Sequence, residues 1–166
     1  MINFKRYNIF FGNNKISDLF DSIYYLFNNN YKDSKIIERY HSQLSNITGC
    51  KYIYSFGSGR MALYSILKAL NINKNDEILV PAYTCAVVVN AIIYSGAIPV
   101  YVDINLRDFN INTEDLKSKI NQNTKVLYAQ HTFGNVCNYK AINEIAKKNN
   151  LVVIEDGAHA LGGTID

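Results

Sequence analysis

A chain of 166 residues is long enough for one domain with a core, and 48% hydrophobic with 19% charged residues excludes a disordered chain. The net charge of +3 comes from scattered lysines, so we expect no nucleic-acid face, and no apolar run is long enough to span a bilayer. Cys50, Cys85 and Cys137 lack metal-ligand or redox-motif spacing, which favours a reducing, cytoplasmic compartment. No signal peptide is expected at the N-terminus.

Two apolar stripes predict helices in the first fifty residues. Apolar side chains between Ile16 and Phe27 fall on one helical face, and those between Ile36 and Ile47 form a second stripe. Gly49 is the expected stop of the second helix. We interpret both stripes as packing surface and residues 1–50 as an N-terminal helical segment.

From Lys51 onward, the patterns of strands and helices alternate. The predicted strands are 52–56, 77–80, 98–102, 125–129 and 151–154, and the predicted helices are 63–70, 86–94, 113–120 and 139–148. Continuous apolar strands favour a mostly parallel sheet with helices on both faces. The predicted fold class is therefore α/β, with a three-layer α/β/α architecture over residues 51–166. Because the chain stops just past the last strand, we expect this domain to be incomplete.

Ligands of open α/β sheets bind at the carboxyl ends of the strands, and three such ends are suggestive here. Residues 56–60 form a Gly-Ser-Gly turn into a helix, which makes Ser58, Gly59 and Arg60 a candidate phosphate site. A plain strand-to-helix turn is the alternative. Residues 81–85 offer the ring of Tyr83 and a hydroxyl at Thr84, although an aromatic residue there is more typical of a core.

A third strand end carries Asp156 and, three residues later, His159. A carboxylate after a buried aliphatic run needs a cationic partner, and a protonated pyridine nitrogen is one. An Asp in that place keeps such a ring protonated, so that a cofactor can accept electrons. Capping of the following helical turn explains Asp156 equally well. Residues 131–134 follow another strand and could border the same site.

Taken in order, five segments resemble the DegT/DnrJ/StrS sugar aminotransferases, pyridoxal 5′-phosphate (PLP) dependent enzymes of fold type I. The segments are SGRMAL (58–63), DEILVPAYT (76–84), GAIPVYVD (96–103), HTFG (131–134) and IEDGAHALG (154–162). The resemblance implies that residues 51–166 are part of a PLP-binding large domain of a homodimer. It also implies transfer of an amino group from an amino acid, commonly glutamate, to a nucleotide-linked keto sugar, as in surface-polysaccharide synthesis.

The resemblance implies roles for the residues near the phosphate and the ring. Gly59 and Arg60, next to Ser58, stand where a Gly-Thr pair offers backbone N–H groups to the PLP phosphate. Arg60 replaces the hydroxyl of that pair with a guanidinium. Cys85 stands where many members place an aromatic side chain on the pyridine ring, and Tyr83 is the nearby substitute.

The resemblance also places Asp156 as the partner of the ring nitrogen and His159 near the ring hydroxyl. The Schiff-base lysine of the family lies a few dozen residues beyond this aspartate. The resemblance therefore implies that the catalytic lysine falls beyond Asp166, and that these residues alone do not catalyse transamination. No metal is expected.

Three alternatives remain open at this point. One is a PLP-dependent sugar dehydratase of the same family. Such a dehydratase is distinguished from an aminotransferase by a histidine in place of the Schiff-base lysine. Another is a non-catalytic remnant or interaction protein. The last is a dinucleotide-binding module built on Gly57, Gly59 and Ala62, which is disfavoured because Asp76 and Glu77 open a strand instead of closing one.

Overall fold

The computed structural model describes residues 15–28, 34–161 and 163. Residues 1–14, where no signal peptide is expected, lie outside the described residues. So does Gly162 of the motif at 154–162. By their internal contacts the residues fall into two units, Met1–Ile53 and Tyr54–Asp166. Within the described ranges, no helix is long and apolar enough to cross a membrane.

The first unit contains two helices, α1 (Ile16–Asn28) and α2 (Ser34–Thr48). Both carry the predicted stripes, and Gly49, with a left-handed φ of 71°, ends α2. The apolar side chains of α1 are exposed, to 82% at Phe27, and α2 buries no residue. The interpretation of the stripes as packing surface therefore stays a prediction.

The second unit is built on a four-stranded sheet in the order β2-β1-β3-β4, with every pair parallel. The strands are β1 (Glu77–Pro81), β2 (Ile98–Val102), β3 (Thr124–Gln130) and β4 (Val152–Asp156). The helices are α3 (Gly59–Ala69), α4 (Ala86–Ser95), α5 (Thr113–Lys119) and α6 (Tyr139–Lys148), with a short 3-10 turn at Thr132–Gly134. The predicted α/β class is confirmed.

Two apolar clusters cover the two faces of the sheet. Because side chains alternate along a strand, Ile78 of β1 packs with α3 and α4, and Leu79 packs with α5 and α6. Leu67 of α3, Ile78 and Leu79 are fully buried, and each contributes about 1.5 to 3 kcal/mol relative to an exposed side chain. The three layers leave the carboxyl ends of the strands at one edge.

The predicted strand at residues 52–56 is wrong. These residues form no strand, and Tyr52 and Tyr54 are 69% and 77% exposed. An aromatic run favours extended backbone, but a strand also needs a neighbour that supplies hydrogen bonds. In the described part of the chain, the sheet consists of four strands, and this segment is not one of them.

Candidate functional site

A cleft of about 760 Å³ opens at the carboxyl ends of the strands, inside the second unit. Its walls are the N-terminus of α3 and the segments that follow β1, β3 and β4. Seven candidate residues from the sequence line it, namely Ser58, Gly59, Arg60, Tyr83, Cys85, Asp156 and His159. A cleft of this volume is typical for a small molecule with a few polar contacts.

The first turn of α3 presents its positive end to the cleft. Ser58 has extended backbone (φ −165°), and its Oγ caps the helix by accepting the Met61 N–H at 3.3 Å. The N–H groups of Gly59 and Arg60 belong to the set that an α-helix leaves without an intrahelical partner. With the helix dipole and the exposed Arg60 guanidinium, this turn is suited to bind an anion.

Gly59 leaves space beside these N–H groups. Its φ lies outside the left-handed region, and a Cβ added to it would meet no atom within 4 Å. The fold itself therefore does not require glycine at this position. Gly57 has the same freedom but does not line the cleft. The open space at Gly59 fits a phosphate group that approaches the backbone closely.

The half-buried Asp156 carboxylate lines the same cleft at the end of β4. Tyr128 donates its hydroxyl to Oδ2 at 2.5 Å, and the Ala158 N–H donates to Oδ1 at 3.0 Å. The second contact is the capping interaction that the sequence allowed. Each oxygen retains a further lone pair, so capping and acceptance from a ring cation are compatible.

Tyr83 belongs to an aromatic cluster beside the cleft. Its ring centroid lies 5.9 Å from that of Phe109 and 6.0 Å from that of Phe133. Phe133 in turn stacks on His159, with centroids 6.1 Å apart and planes 4° apart. Cys85 caps α4 without a side-chain hydrogen bond, and its exposed thiol lines the cleft. The stacking role of Tyr83 or Cys85 against a cofactor ring stays a prediction.

His159 and His131, which both line the cleft, differ in their hydrogen-bond partners. The Phe133 N–H donates to Nδ1 of His159 at 3.3 Å, so the neutral ring carries its proton on Nε2. His131 is buried, and its Nδ1 accepts the Cys137 N–H at 3.1 Å while its Nε2 lies 2.7 Å from Glu155 Oε1. His131 therefore links the ends of β3 and β4, and His159 keeps a nitrogen for other partners.

Gln130 connects two walls of the cleft, although it was not among the site residues predicted from the sequence. Its Oε1 accepts the Thr84 hydroxyl at 2.6 Å, and its Nε2 donates to Thr132 Oγ1 at 2.9 Å and to the Tyr83 carbonyl at 3.3 Å. Gln130 pairs with Asp156 in the β3–β4 register. The sequence held a signal for this residue. Tyr128 and Gln130 alternate with apolar residues, so they share one face of β3 near its carboxyl end.

The three cysteines differ in exposure. Burial, together with the charge of Glu155, raises the pKa of the Cys137 thiol to about 12. Cys50 and Cys85 are exposed. Because the thiolate is the reactive form, Cys137 is expected to resist alkylation in the folded chain at neutral pH, whereas Cys85 reports on access to the cleft.

Residues 23–166 match the DegT/DnrJ/EryC1/StrS aminotransferase family. GDP-perosamine synthase of Vibrio cholerae is 32% identical over 132 residues, which are 80% of this chain and 36% of that protein. The chain spans about a third of the length of the curated relatives it matches.

Two solved structures illustrate the similarity of the chain to proteins of known structure. The aminotransferase from Psychrobacter cryohalolentis has a TM-score of 0.83 and 28% identity, over 89% of this chain and 38% of that one. GDP-4-keto-6-deoxymannose-3-dehydratase, solved with a trapped PLP-glutamate geminal diamine, has a TM-score of 0.73 and 28% identity, over 78% of this chain and 35% of that one.

Proposed function

The chain belongs to the DegT/DnrJ/EryC1/StrS aminotransferase family, and we propose that it forms the cofactor-binding part of a PLP-dependent aminotransferase acting on a nucleotide-linked keto sugar. The observation that carries the proposal is the single cleft that holds both Gly59 and Asp156. The substrate class is supported by the relatives, which include GDP-perosamine synthase and a dTDP-sugar transaminase.

The residues of the cleft would hold PLP at three points. The N–H groups of Gly59 and Arg60 would bind its phosphate, and Asp156 would accept the proton-bearing ring nitrogen. His159 would lie near the ring hydroxyl, and Tyr83 or Cys85 would contact the ring. When bound, PLP supplies an electron sink for the substrate carbon, and Asp156 contributes by keeping the proton on the ring nitrogen.

We also propose an amino-acid donor, a homodimer and a cytoplasmic setting. The glutamate trapped with PLP in the similar dehydratase supports glutamate as the donor. The exposed apolar stripe of α1 supports association with further protein surface, and the free thiols of Cys50 and Cys85 support a reducing compartment. That the 166 residues alone do not transaminate stays a prediction from the resemblance.

A sugar dehydratase of the same family is the second candidate. The dehydratase and the aminotransferase named above are both 28% identical to this chain. The cleft residues described here suit either reaction, because both need a phosphate site and a partner for the ring nitrogen. The residue at the family's Schiff-base position, lysine or histidine, separates the two.

Gly59→Ala is expected to weaken binding of pyridoxamine 5′-phosphate (PMP) at least about tenfold. The added methyl group would occupy the open space beside the N–H groups that bind the phosphate. The stability of the chain should stay the same or rise by up to about 1 kcal/mol, because alanine is the better helix former. PMP, which lacks the aldehyde that labels surface lysines, is titrated while alkylation of Cys85 by iodoacetamide is followed.

Gly57→Ala is the matched control, because it adds the same methyl group outside the cleft. It should leave PMP affinity unchanged. Cys50 should be alkylated at the same rate with and without PMP, and pyridoxamine without the phosphate should protect Cys85 weakly in every variant. Equal PMP affinity in the Gly59→Ala and wild-type chains would show that the phosphate does not bind at this turn.

A further inference from the structure

Tyr128 carries a hydroxyl group in an otherwise apolar environment. Its ring packs in the cluster between the sheet and helices α3 and α4, and the residue is only 5% exposed. A phenylalanine would fill the same space without a polar atom. The hydroxyl therefore needs a partner, and that partner is the Asp156 carboxylate at 2.5 Å.

The register of the sheet explains how the two side chains meet. Tyr128 of β3 pairs with Ile154 of β4, and Asp156 follows two residues later on the same face. The phenol thus reaches along the sheet to the end of β4 and meets Oδ2 at the wall of the cleft, which Tyr128 also lines. Oδ1 is held separately by the Ala158 N–H. Two donors on different oxygens fix the rotation of the carboxylate.

The charges around this pair favour Tyr128 as a donor. Burial, followed by the hydrogen bond and charge of Asp156, raises the pKa of Tyr128 above its usual value, so the phenol stays protonated. Arg60, Cys85 and His159 line the same cleft as Asp156, and Glu155, on the same strand as Asp156, pairs with His131. Of these side chains, only Tyr128 is hydrogen-bonded to the Asp156 carboxylate.

We propose that Tyr128 is a positioning residue, whose hydroxyl orients the Asp156 carboxylate so that its remaining lone pairs serve a ring nitrogen bound in the cleft. The identity of that ring rests on the proposed function. The position of Asp156 alone does not fix the direction of its oxygens, because the side chain can rotate. Tyr128 and the Ala158 N–H together remove that freedom before a ligand arrives.

Tyr128→Phe tests this role, because it keeps the buried ring and removes the donor. We expect PMP affinity to fall about tenfold, and the protonated fraction of the bound ring nitrogen, read by ¹⁵N NMR of labelled PMP, to fall as well. Tyr64→Phe is the matched control, since Tyr64 packs against the same cluster but does not line the cleft. Unchanged affinity and unchanged nitrogen protonation in Tyr128→Phe would overturn the proposal.

A double-mutant cycle tests the contact without any ligand. The stabilities of Tyr128→Phe, Asp156→Ala and the double variant are compared by urea unfolding, because alanine removes both oxygens that could meet the phenol. Non-additive losses support the positioning bond, and additive losses contradict it. If the cycle is non-additive but the wild-type chain binds no PMP, the contact stands and the proposed function fails. If PMP binding depends on Asp156 but not on Tyr128, the positioning role fails and the proposed function stands.

Discussion

Asp156→Asn is expected to lower kcat about 100- to 1,000-fold in the proposed aminotransferase. The asparagine keeps the size of the side chain and an oxygen for the Ala158 N–H, but it removes the negative charge. Without that charge, the ring nitrogen of the cofactor loses its proton, and the ring accepts electrons poorly. Steady-state kinetics with a nucleotide-linked keto sugar and glutamate measure the loss.

Asp103→Asn is the matched control for this loss. Asp103 directly follows β2, and its carboxylate also accepts a backbone N–H, that of Ile104 at 2.8 Å. It does not line the cleft, so its substitution should leave kcat within about twofold of the wild type. If Asp156→Asn retained as much activity as Asp103→Asn, the partner of the ring nitrogen would be another residue.

Asn110→Ala is expected to destabilise the chain by about 2 to 4 kcal/mol. Asn110 is 1% exposed, and its side chain accepts the Thr132 N–H at 2.9 Å and donates to the Asn135 carbonyl at 3.0 Å. Alanine would leave both backbone groups without these partners. Since Thr132 lines the cleft, the same change should lower PMP affinity. Urea unfolding monitored by circular dichroism gives the free energy of unfolding.

Asn105→Ala in the same loop is the reference for that experiment. The Asn105 side chain is exposed, and its single contact to the Ile111 carbonyl is long, at 3.5 Å. Its loss should cost at most about 0.5 kcal/mol. Equal effects of the two substitutions would mean that the buried hydrogen bonds of Asn110 contribute little to the stability of the loop.

The fold and the location of the cleft could be predicted because they depend on local patterns. Hydrophobic periodicity indicated α6 with the bounds that the structure has, Tyr139–Lys148, and Gly96 ends α4 with a left-handed φ of 98°. Parallel strands bring their carboxyl ends to one edge, which was enough to place Tyr83, after β1, and Asp156, at the end of β4, in one cleft. The wrong strand at residues 52–56 shows the limit, since composition does not reveal whether a partner strand exists.

The contacts that orient the site could not be predicted, because they depend on register and side-chain rotamers. Tyr128 and Asp156 are separated by 28 residues, and Thr84 and Gln130 by 46. Asn110 reads as an ordinary loop asparagine in the sequence, although it is buried and bonded to two backbone groups. Each of these pairs requires knowing which residues of neighbouring strands and loops lie opposite each other.

A crystal structure of the chain with PMP bound decides whether one small molecule contacts both the first turn of α3 and Asp156. We predict phosphate oxygens about 3 Å from the backbone nitrogens of Gly59 and Arg60, and a ring nitrogen about 3 Å from an Asp156 oxygen. A phosphate bound away from the first turn of α3, or a ring nitrogen that faces any residue other than Asp156, would contradict the proposed function.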